Sequence, residues 1–313
     1  MALFISYEIA FSESIQMRKP DVFIVGGPKC GTTSLYTYLK QHPDIFMSEI
    51  KEPQYFAADT LRYQRRIQTL PEYMDCFAAA KGEERIGEAS TAYLGSRGAA
   101  RELKKFNPNA RIIVMLRNPI DVMYSLHSER LFSNMEHIRD FGHAINSTET
   151  RTWRTGPFRK QPVIRMGYRE VSRFSEQLQR YFEVFGRESV HVIIYEDLKM
   201  HCEAVYDRVL NFLNVRPYSQ PSIKLNANKR ARSQYLQAFL DHPPRWIHGA
   251  MRSLVPDKIR PSLVRGFYKA NVVTEPRPPM DECLRKRLQK EYEQEVVQLS
   301  AVLQRDLTAW CRA

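Results

Sequence analysis

The sequence has no apolar stretch long enough to cross a membrane as a helix. Its longest apolar stretches, VFIV, RIIVML and VHVIIY, have the length of β-strands, whereas a membrane-spanning helix needs about 20 apolar residues. The first 17 residues lack a basic start and carry Glu8 and Glu13 beside their apolar positions, which differs from a secretory signal peptide. We therefore predict a cytoplasmic protein without a transmembrane segment.

The sequence also has few cysteines, and no two of them form a C-x-x-C pair. The five cysteines lie at positions 30, 76, 202, 283 and 311, an odd and scattered set that argues against a disulfide framework and a zinc site. No carboxylate pair is arranged for a nucleotide-bound Mg²⁺, and there is no internal repeat or low-complexity tract. We predict a protein without a metal site.

Basic residues outnumber acidic ones, so the composition favours an anionic partner. The 313 residues include 47 Lys and Arg against 35 Asp and Glu, a formal net charge of +12. The candidate partners are nucleic acid, a membrane face, an acidic polymer and a polyanionic cofactor. Because 43% of the residues are hydrophobic and 26% are charged, the chain otherwise has the composition of an ordinary globular domain.

Short β-branched runs alternate with helical patterns along the chain. This alternation is typical of a mainly parallel sheet with helices on both faces, and we predict a three-layer α/β fold of the P-loop type. The predicted strands are 22–26, 85–88, 111–116 and 190–195, and the predicted helices include 170–185, 203–213 and 281–310.

The segment 241–279 differs from the rest of the chain because it is rich in proline and arginine and poor in acidic residues. We predict that it forms a basic cap or lid outside the main sheet. Residues 1–19 are predicted to be an N-terminal extension, and 20–313 a single domain that includes the cap. The cap would suit an acidic saccharide, a lipid-linked acceptor or peripheral contact with a membrane face. An ordinary basic lid packed on the core is the alternative.

The stretch VFIVGGPKCGTTSL (22–35) has the pattern of a strand, a glycine-rich turn and a helix N-terminus. Exposed N–H groups and the helix dipole make such a turn an anion site. The version that binds ATP and GTP is G-x-x-x-x-G-K-S/T. Here Gly26 and Gly31 keep the spacing, but Thr32 takes the lysine position and Lys29 lies inside the loop. A polar turn without a ligand is the alternative.

A candidate general base is Glu52 in EIKEPQYF (49–56). An acceptor hydroxyl that attacks an electrophile needs a base within hydrogen-bond reach, and a partly buried glutamate can serve. A surface ion pair between Lys51 and Glu52 is the alternative.

Three other stretches place polar residues at predicted strand ends or in a basic loop. Arg117 ends the strand RIIVML, where it would face the ligand crevice of an open α/β sheet, and Ser125 follows on a helix. Such an arginine can hold a phosphate bidentately. Tyr195 ends the strand VHVIIY, and Lys229 and Arg230 belong to the basic loop NANKRARS.

Taken together, these motifs resemble those of the sulfotransferases that use 3′-phosphoadenosine 5′-phosphosulfate (PAPS) and release 3′,5′-adenosine bisphosphate (PAP). The resemblance covers about residues 20–312, and its glutamate-containing loop is similar to that of the heparan-type and carbohydrate sulfotransferases. The ordered motifs are PKCGTTSL, HPDIFMSEIKEPQYF, GEASTAYL, LRNPIDVMYS, IIYEDL and LQRDLTAW.

The resemblance implies a role for each of these residues. Arg117 and Ser125 would hold the 3′-phosphate, Tyr195 would lie near the adenine, and Lys229 and Arg230 would take the place of a late basic cofactor loop. The residues of the first loop would hold the 5′-phosphosulfate, namely Lys29, Cys30, Gly31, Thr32, Thr33 and Ser34.

The resemblance also implies a metal-independent, in-line transfer of the sulfuryl group to a hydroxyl or amine of a carbohydrate or small metabolite. Lys29 would stabilise the leaving oxygen, and Glu52 would be the base, with Gln54 standing where some relatives carry histidine. His127 in SLHSERL is the second candidate for the base.

Two other classes of function are the alternatives. A P-loop kinase or NTPase is disfavoured by Thr32 in the lysine position. A nucleic-acid-binding protein would explain the positive charge, but no recognition-helix or base-stacking motif is present. The acceptor and the oligomeric state stay open at the level of sequence.

Overall fold

The fold is built on a five-stranded parallel sheet. The computed structural model describes residues 18–61, 65–147, 153–154, 162–163, 166–219, 229–231, 266 and 270–312. The strands of the main sheet are β1 Val22–Ile24, β2 Ile45–Met47, β3 Arg85–Ala89, β4 Arg111–Leu116 and β7 Val190–Ile194. Their order is β2-β3-β1-β4-β7, and each neighbouring pair is parallel.

Two short antiparallel strand pairs accompany the main sheet. They are β5 Trp153–Arg154 with β6 Pro162–Val163, and β8 Lys229–Ala231 with β9 Val272–Thr274. The second pair joins the basic stretch around residue 230 to the end of the predicted cap, although most of 241–279 lies outside the described residues.

Helices connect the strands and cover the sheet, as expected for parallel neighbours. They are α1 Thr32–Leu39, α2 Ala58–Leu61, α3 Leu70–Asp75, α4 Ala92–Gly95, α5 Ala99–Phe106, α6 Pro119–Phe132, α7 Phe141–Asn146, α8 Tyr168–Val171, α9 Phe174–Phe185, α10 Tyr195–Met200, α11 Cys202–Leu213 and α12 Glu282–Leu303. Short 3₁₀ turns form at Arg187–Ser189 and Thr308–Cys311. No helix in the described part of the chain is both long and apolar enough to span a membrane.

The central strands carry consecutive apolar side chains because helices cover both of their faces. Every residue of β1, and 112–116 in β4, is fully buried. The aromatic stripe of α9 packs inward, with Phe174, Leu178 and Tyr181 fully buried. Helix α12 lies against α9, so the C-terminal helix covers the same layer.

The sequence patterns predicted the four central strands to within two residues, but three elements differ from the prediction. Residues 45–47 form an edge strand that the sequence patterns did not predict. The predicted helix 170–185 is two helices, and α9 begins after the break because Glu295 of α12 accepts hydrogen bonds from Ser175 N and Oγ at 2.7 and 2.8 Å. The C-terminal helix ends at Leu303, where Gln304 takes a left-handed conformation.

The α/β fold is therefore the one predicted, whereas the domain bounds stay a prediction. Residues 1–17 of the predicted extension and most of the cap are outside the described residues.

Candidate active site

The candidate site lies at the carboxyl edge of the main sheet, where the segments after four strands meet. Ile24 of β1 pairs with Ala89 of β3 and with Ile113 of β4, so these strands end near one another. In an open parallel sheet ligands bind at this edge, in the crevice at the point where the strand order reverses. The candidate residues Lys29, Glu52, Arg117 and Tyr195 follow β1, β2, β4 and β7 at this edge.

The turn after β1 is held against β4 by its backbone. Gly27 N donates to Met115 O at 3.0 Å, and a Cβ added at Gly26 would lie 2.5 Å from Met115 Cβ. Gly31 has φ 89° and precedes α1, and a Cβ there would lie 2.9 Å from the Tyr195 ring. Both glycines of the motif are therefore required by close approach, and Gly31 also by its backbone conformation.

Helix α1 presents its N-terminus to this turn without a competing anion. Gly31 supplies no side-chain cap, and the first turn contains no acidic residue. The hydroxyl residues Thr32 and Ser34 are buried and Thr33 is exposed. The positive end of the helix dipole therefore faces the turn with its first N–H groups available to an anion.

Lys29 occupies the centre of the turn in a left-handed backbone conformation, with φ 64°. Its side chain is one-third exposed, and Nζ lies 3.6 Å from Glu129 Oε2 on α6. Non-glycine residues with positive φ cost about 1–2 kcal/mol and concentrate at functional sites. Cys30 beside it is fully buried, and burial raises the pKa of its thiol, which favours a packing role over a nucleophile.

Glu52 lies in a second strained segment, where Glu52 and Gln54 have φ 59° and 62°. Its Oε2 accepts from Thr91 N at 2.8 Å and from Thr91 Oγ1 at 3.2 Å, and Oε1 accepts from Lys51 Nζ at 2.8 Å. The Glu52 side chain is 24% exposed. The carboxylate is thus held by the segment after β3 and remains reachable from solvent.

The support beneath Glu52 was not predicted from the sequence. Glu88 of β3 is fully buried and accepts hydrogen bonds of 2.8 Å from Tyr73, Tyr93 and Ser90. Burial is the largest influence on its pKa, which rises to about 7 against the lowering effect of these hydroxyls. The sequence analysis included GEASTAYL only as one motif of the family resemblance. The available signal for Glu88 itself was a glutamate inside a predicted buried strand.

Arg117 follows β4 and lies beside the first turn. Its guanidinium carbon is 4.6 Å from the centroid of the Tyr195 ring, and Nη1 donates to Lys29 O at 3.3 Å. The Arg117 Nε is buried and has no hydrogen-bond partner among the described residues. A buried guanidinium N–H without a protein acceptor is costly, and an anionic ligand at this position would satisfy it.

Ser125 is buried on α6 and meets a cation that the sequence prediction missed. Arg277, just before α12, donates from Nη2 to Ser125 Oγ at 2.9 Å and from Nε to Ser128 Oγ at 2.8 Å. Burial lowers the pKa of Arg277, and the charge of Arg117 adds to this effect. Two guanidinium groups near each other in a partly buried place favour an anion between them. The only signal was the arginine content of the predicted cap.

The structure also places the remaining predicted residues. His127 points into the core, where Nε2 lies 2.8 Å from Ile138 O and the ring packs near Phe141 and Tyr168. Burial lowers the pKa of His127. Lys229 and Arg230 form strand β8 instead of a loop, and this strand lies against α6.

The described residues contain no group of three or more His, Cys, Asp or Glu side chains that could hold a metal ion. The site instead contains the cations Lys29, Arg117 and Arg277 and two carboxylates, the exposed Glu129 paired with Lys29 and the partly exposed Glu52. This set fits a polyanionic ligand and a proton acceptor.

Comparison with known proteins assigns the family. The Sulfotransferase domain model matches residues 19–234, more than half of the chain, and the protein belongs to this family. The crystal structure of a sulfotransferase from Alicyclobacillus acidocaldarius superimposes with a TM-score of 0.69 at 27% identity, covering 94% of this chain and 100% of that one. The predicted family and the predicted fold are confirmed.

Two curated sulfotransferases are also similar in sequence to this chain, but the similarity covers a smaller share of their own length. Carbohydrate sulfotransferase 15 of Homo sapiens is 24% identical over 303 residues, which are 80% of this chain and 51% of that protein. The bifunctional heparan sulfate N-deacetylase/N-sulfotransferase 3 of Mus musculus is 25% identical over 309 residues, 94% of this chain and 31% of that protein. The chain spans about half or less of the length of these relatives.

Proposed function

We propose that this protein transfers the sulfuryl group of PAPS to a hydroxyl of a carbohydrate or small-metabolite acceptor. The observation that carries the proposal is the meeting, at one sheet edge, of a lysine-bearing anion turn with the Arg117, Ser125 and Arg277 cluster. The turn is shaped like a nucleotide-binding loop, yet its lysine is displaced from the position that serves ATP.

The two ends of the donor would bind to two different parts of the site. The 5′-phosphosulfate would lie at the N-terminus of α1, where backbone N–H groups, Thr32, Thr33 and Ser34 are at hand. The 3′-phosphate would lie against Arg117, Ser125 and Arg277. The buried Arg117 Nε, which has no acceptor among the described residues, supports this fit, and the Tyr195 ring between the two parts would border the nucleoside.

The proposed reaction needs positioning and charge stabilisation rather than a covalent intermediate. The acceptor oxygen forms a bond to sulfur while the bond between sulfur and the 5′-phosphate oxygen breaks, so negative charge grows on the leaving oxygen. Lys29 would stabilise this charge, and Glu52 would take the acceptor proton. The products are the sulfated acceptor and PAP.

The geometry supports Glu52 over His127 as the base. Glu52 is partly exposed at the carboxyl edge of the sheet, whereas His127 is buried with its Nε2 engaged by a backbone carbonyl. A base must reach solvent or substrate to accept a proton from an acceptor.

The acceptor class rests on the names of the relatives and on the basic character of the chain. Both relatives named above are sulfotransferases whose names refer to carbohydrate or heparan sulfate, and the net charge of +12 suits an anionic partner. The cytoplasmic location and the contact of the cap with a lipid-linked acceptor or a membrane face stay predictions.

Calorimetry without and with Mg²⁺ tests the donor site. We expect PAP to bind without metal and Arg117→Ala to weaken this binding by about 10- to 100-fold, the loss typical of a charged hydrogen bond. Binding of ATP that requires Mg²⁺, without PAP binding, would instead indicate a kinase or NTPase. Incubation with radiolabelled PAPS and a panel of sugars, sterols and alcohols then identifies the acceptor.

A further inference from the structure

The buried carboxylate of Glu88 has no role in the proposed reaction, yet it is held by an elaborate set of hydrogen bonds. It is fully buried in β3, and its two oxygens accept hydrogen bonds from three hydroxyls, those of Tyr73, Tyr93 and Ser90. A buried carboxylate is costly unless several donors compensate it. The role of Glu88 therefore depends on what its three hydroxyl donors contact in turn.

One of these donors connects Glu88 to the segment of the proposed base. Ser90 Oγ donates its proton to Glu88 Oε2 at 2.8 Å and accepts from Gln54 N at 3.1 Å. Because a hydroxyl has a single proton, the Glu88 oxygen that accepts it fixes the Ser90 proton on its own side and leaves the Ser90 lone pairs facing Gln54 N–H.

The neighbouring residues of the same strand end continue this attachment. Glu52 N donates to Ala89 O at 3.0 Å, and Thr91 N donates to Glu52 Oε2 at 2.8 Å. Residues 89, 90 and 91 thus each make one hydrogen bond to the segment 52–54. Glu88 precedes them in β3 and orients the hydroxyl of Ser90, which binds Gln54 N.

The segment needs such a support because its backbone is unfavourable for its own residues. Glu52 and Gln54 both have positive φ, at 59° and 62°, a region that L-residues other than Asn and Asp seldom occupy. Strained residues of this kind persist only where the surroundings determine them. Ile67 N and Ala57 N also hold this segment through the carbonyls of Pro53 and Gln54, but the Ser90 contact holds the N–H of Gln54, and we expect its loss to let Gln54 relax toward negative φ and displace the Glu52 carboxylate.

We propose that Glu88 is a positioning residue: through Ser90 it holds the left-handed turn at 52–54 that directs the Glu52 carboxylate toward the acceptor. This inference rests on the proposed function of Glu52 as the base. Glu88 itself touches neither donor nor acceptor, so its effect falls on turnover and not on donor binding.

The test compares Ser90→Ala and Glu88→Gln with wild type in steady-state assays, using an acceptor from the labelled-donor panel and saturating PAPS. We expect kcat to fall by about 10- to 100-fold, the effect of misplacing a catalytic group by a fraction of an ångström to an ångström. PAP affinity measured by calorimetry should stay within about twofold, because the turn after β1 and the Arg117 cluster are untouched. Ser90→Ala is the smaller change and serves if Glu88→Gln fails to fold.

A double-mutant cycle with Gln54→Gly separates positioning from packing. Glycine adopts positive φ without strain, so removing the Ser90 hydroxyl should cost at least threefold less kcat in the Gln54→Gly background than in the wild-type background. A residue that only packs would give the same loss in both backgrounds. Glu136→Gln is the matched control: Glu136 is also buried, it accepts from Tyr168 OH at 3.1 Å and from the N–H groups of His137 and Ile138, and none of these partners belongs to 52–54 or 88–91. Its kcat should stay at the wild-type value.

Two results would overturn the inference, and they differ in what they say about the proposed function. If Ser90→Ala and Glu88→Gln keep kcat within about twofold while Glu52→Gln loses activity, Glu52 remains the base and the positioning role is wrong. If Glu52→Gln itself keeps wild-type turnover, the proposed base is wrong and the positioning role falls with it.

Discussion

The replacement Glu88→Gln should change how the stability of this protein depends on pH. The ordinary pKa of a glutamate is 4.5, and burial raises that of Glu88 to about 7 in the folded protein. Between these two values the folded state keeps a proton that the unfolded state has released. The stabilisation from this proton is complete below pH 4.5 and is lost as pH rises through 7.

The magnitude follows from the two pKa values. Linkage between them makes the wild-type protein lose about 2–3 kcal/mol of unfolding free energy from pH 5 to pH 8 through Glu88 alone. A glutamine side chain at this position has nearly the same shape but does not titrate, so this loss should be missing in the variant. The difference in unfolding free energy between variant and wild type should therefore shift by about 2–3 kcal/mol in favour of the variant over this range.

Urea unfolding at pH 5, 6, 7 and 8 measures this difference directly. Tyr206→Phe is a suitable control, because it also removes a buried polar group, and burial raises the pKa of Tyr206 to about 12, outside the range tested. The control should show a stability difference that does not vary with pH. Parallel pH profiles for Glu88→Gln and wild type would refute the reasoning, because they would mean that Glu88 titrates alike in both states.

Three further changes probe the donor site. Gly31→Ala should weaken PAP binding by at least tenfold in calorimetry, since its Cβ would lie 2.9 Å from the Tyr195 ring at φ 89° and positive φ is unfavourable for alanine; unchanged affinity would contradict this. Arg277→Ala should weaken PAP by about 10- to 100-fold but leave adenosine 5′-phosphosulfate, which has no 3′-phosphate, unaffected; equal losses would mean a general structural effect. Glu129→Gln should tighten PAP binding by about two- to fivefold at low salt, because it removes the carboxylate that pairs with Lys29. A change in affinity that is the same at low and high salt would argue against this explanation.

The first turn was predictable because its chemistry is local. VFIVGG contains both the strand and the glycines that allow close approach to β4, and Lys29 follows within the same loop. Arg117 was predictable for a similar reason, since a buried strand ends directly before it and places it at the ligand edge.

The rest of the site depends on contacts between distant parts of the chain. Arg277 reaches Ser125 across 152 residues of sequence, and no periodicity or turn signal links the two. The left-handed backbone at Glu52 and Gln54 could not be predicted either, because these residue types favour negative φ and contacts with residues 89–91 support the opposite conformation. Local patterns report propensity, whereas these features come from tertiary packing.

The break between α8 and α9 shows the same limit in the fold. The apolar stripe of 170–185 is continuous in sequence, and a single helix is the natural prediction. The second helix begins at Phe174 because the Glu295 carboxylate of α12 receives the N–H of Ser175, which is information from the far end of the chain.

The most direct test of the central claim is the turnover of Lys29→Ala with saturating PAPS and an identified acceptor. If the Lys29 ammonium group stabilises the oxygen that leaves sulfur, kcat should fall by about 100- to 1000-fold, the loss typical of removing one preorganised charge or donor. A kcat within about threefold of wild type, with PAP still bound, would show that the transfer proceeds without Lys29 and would contradict the account.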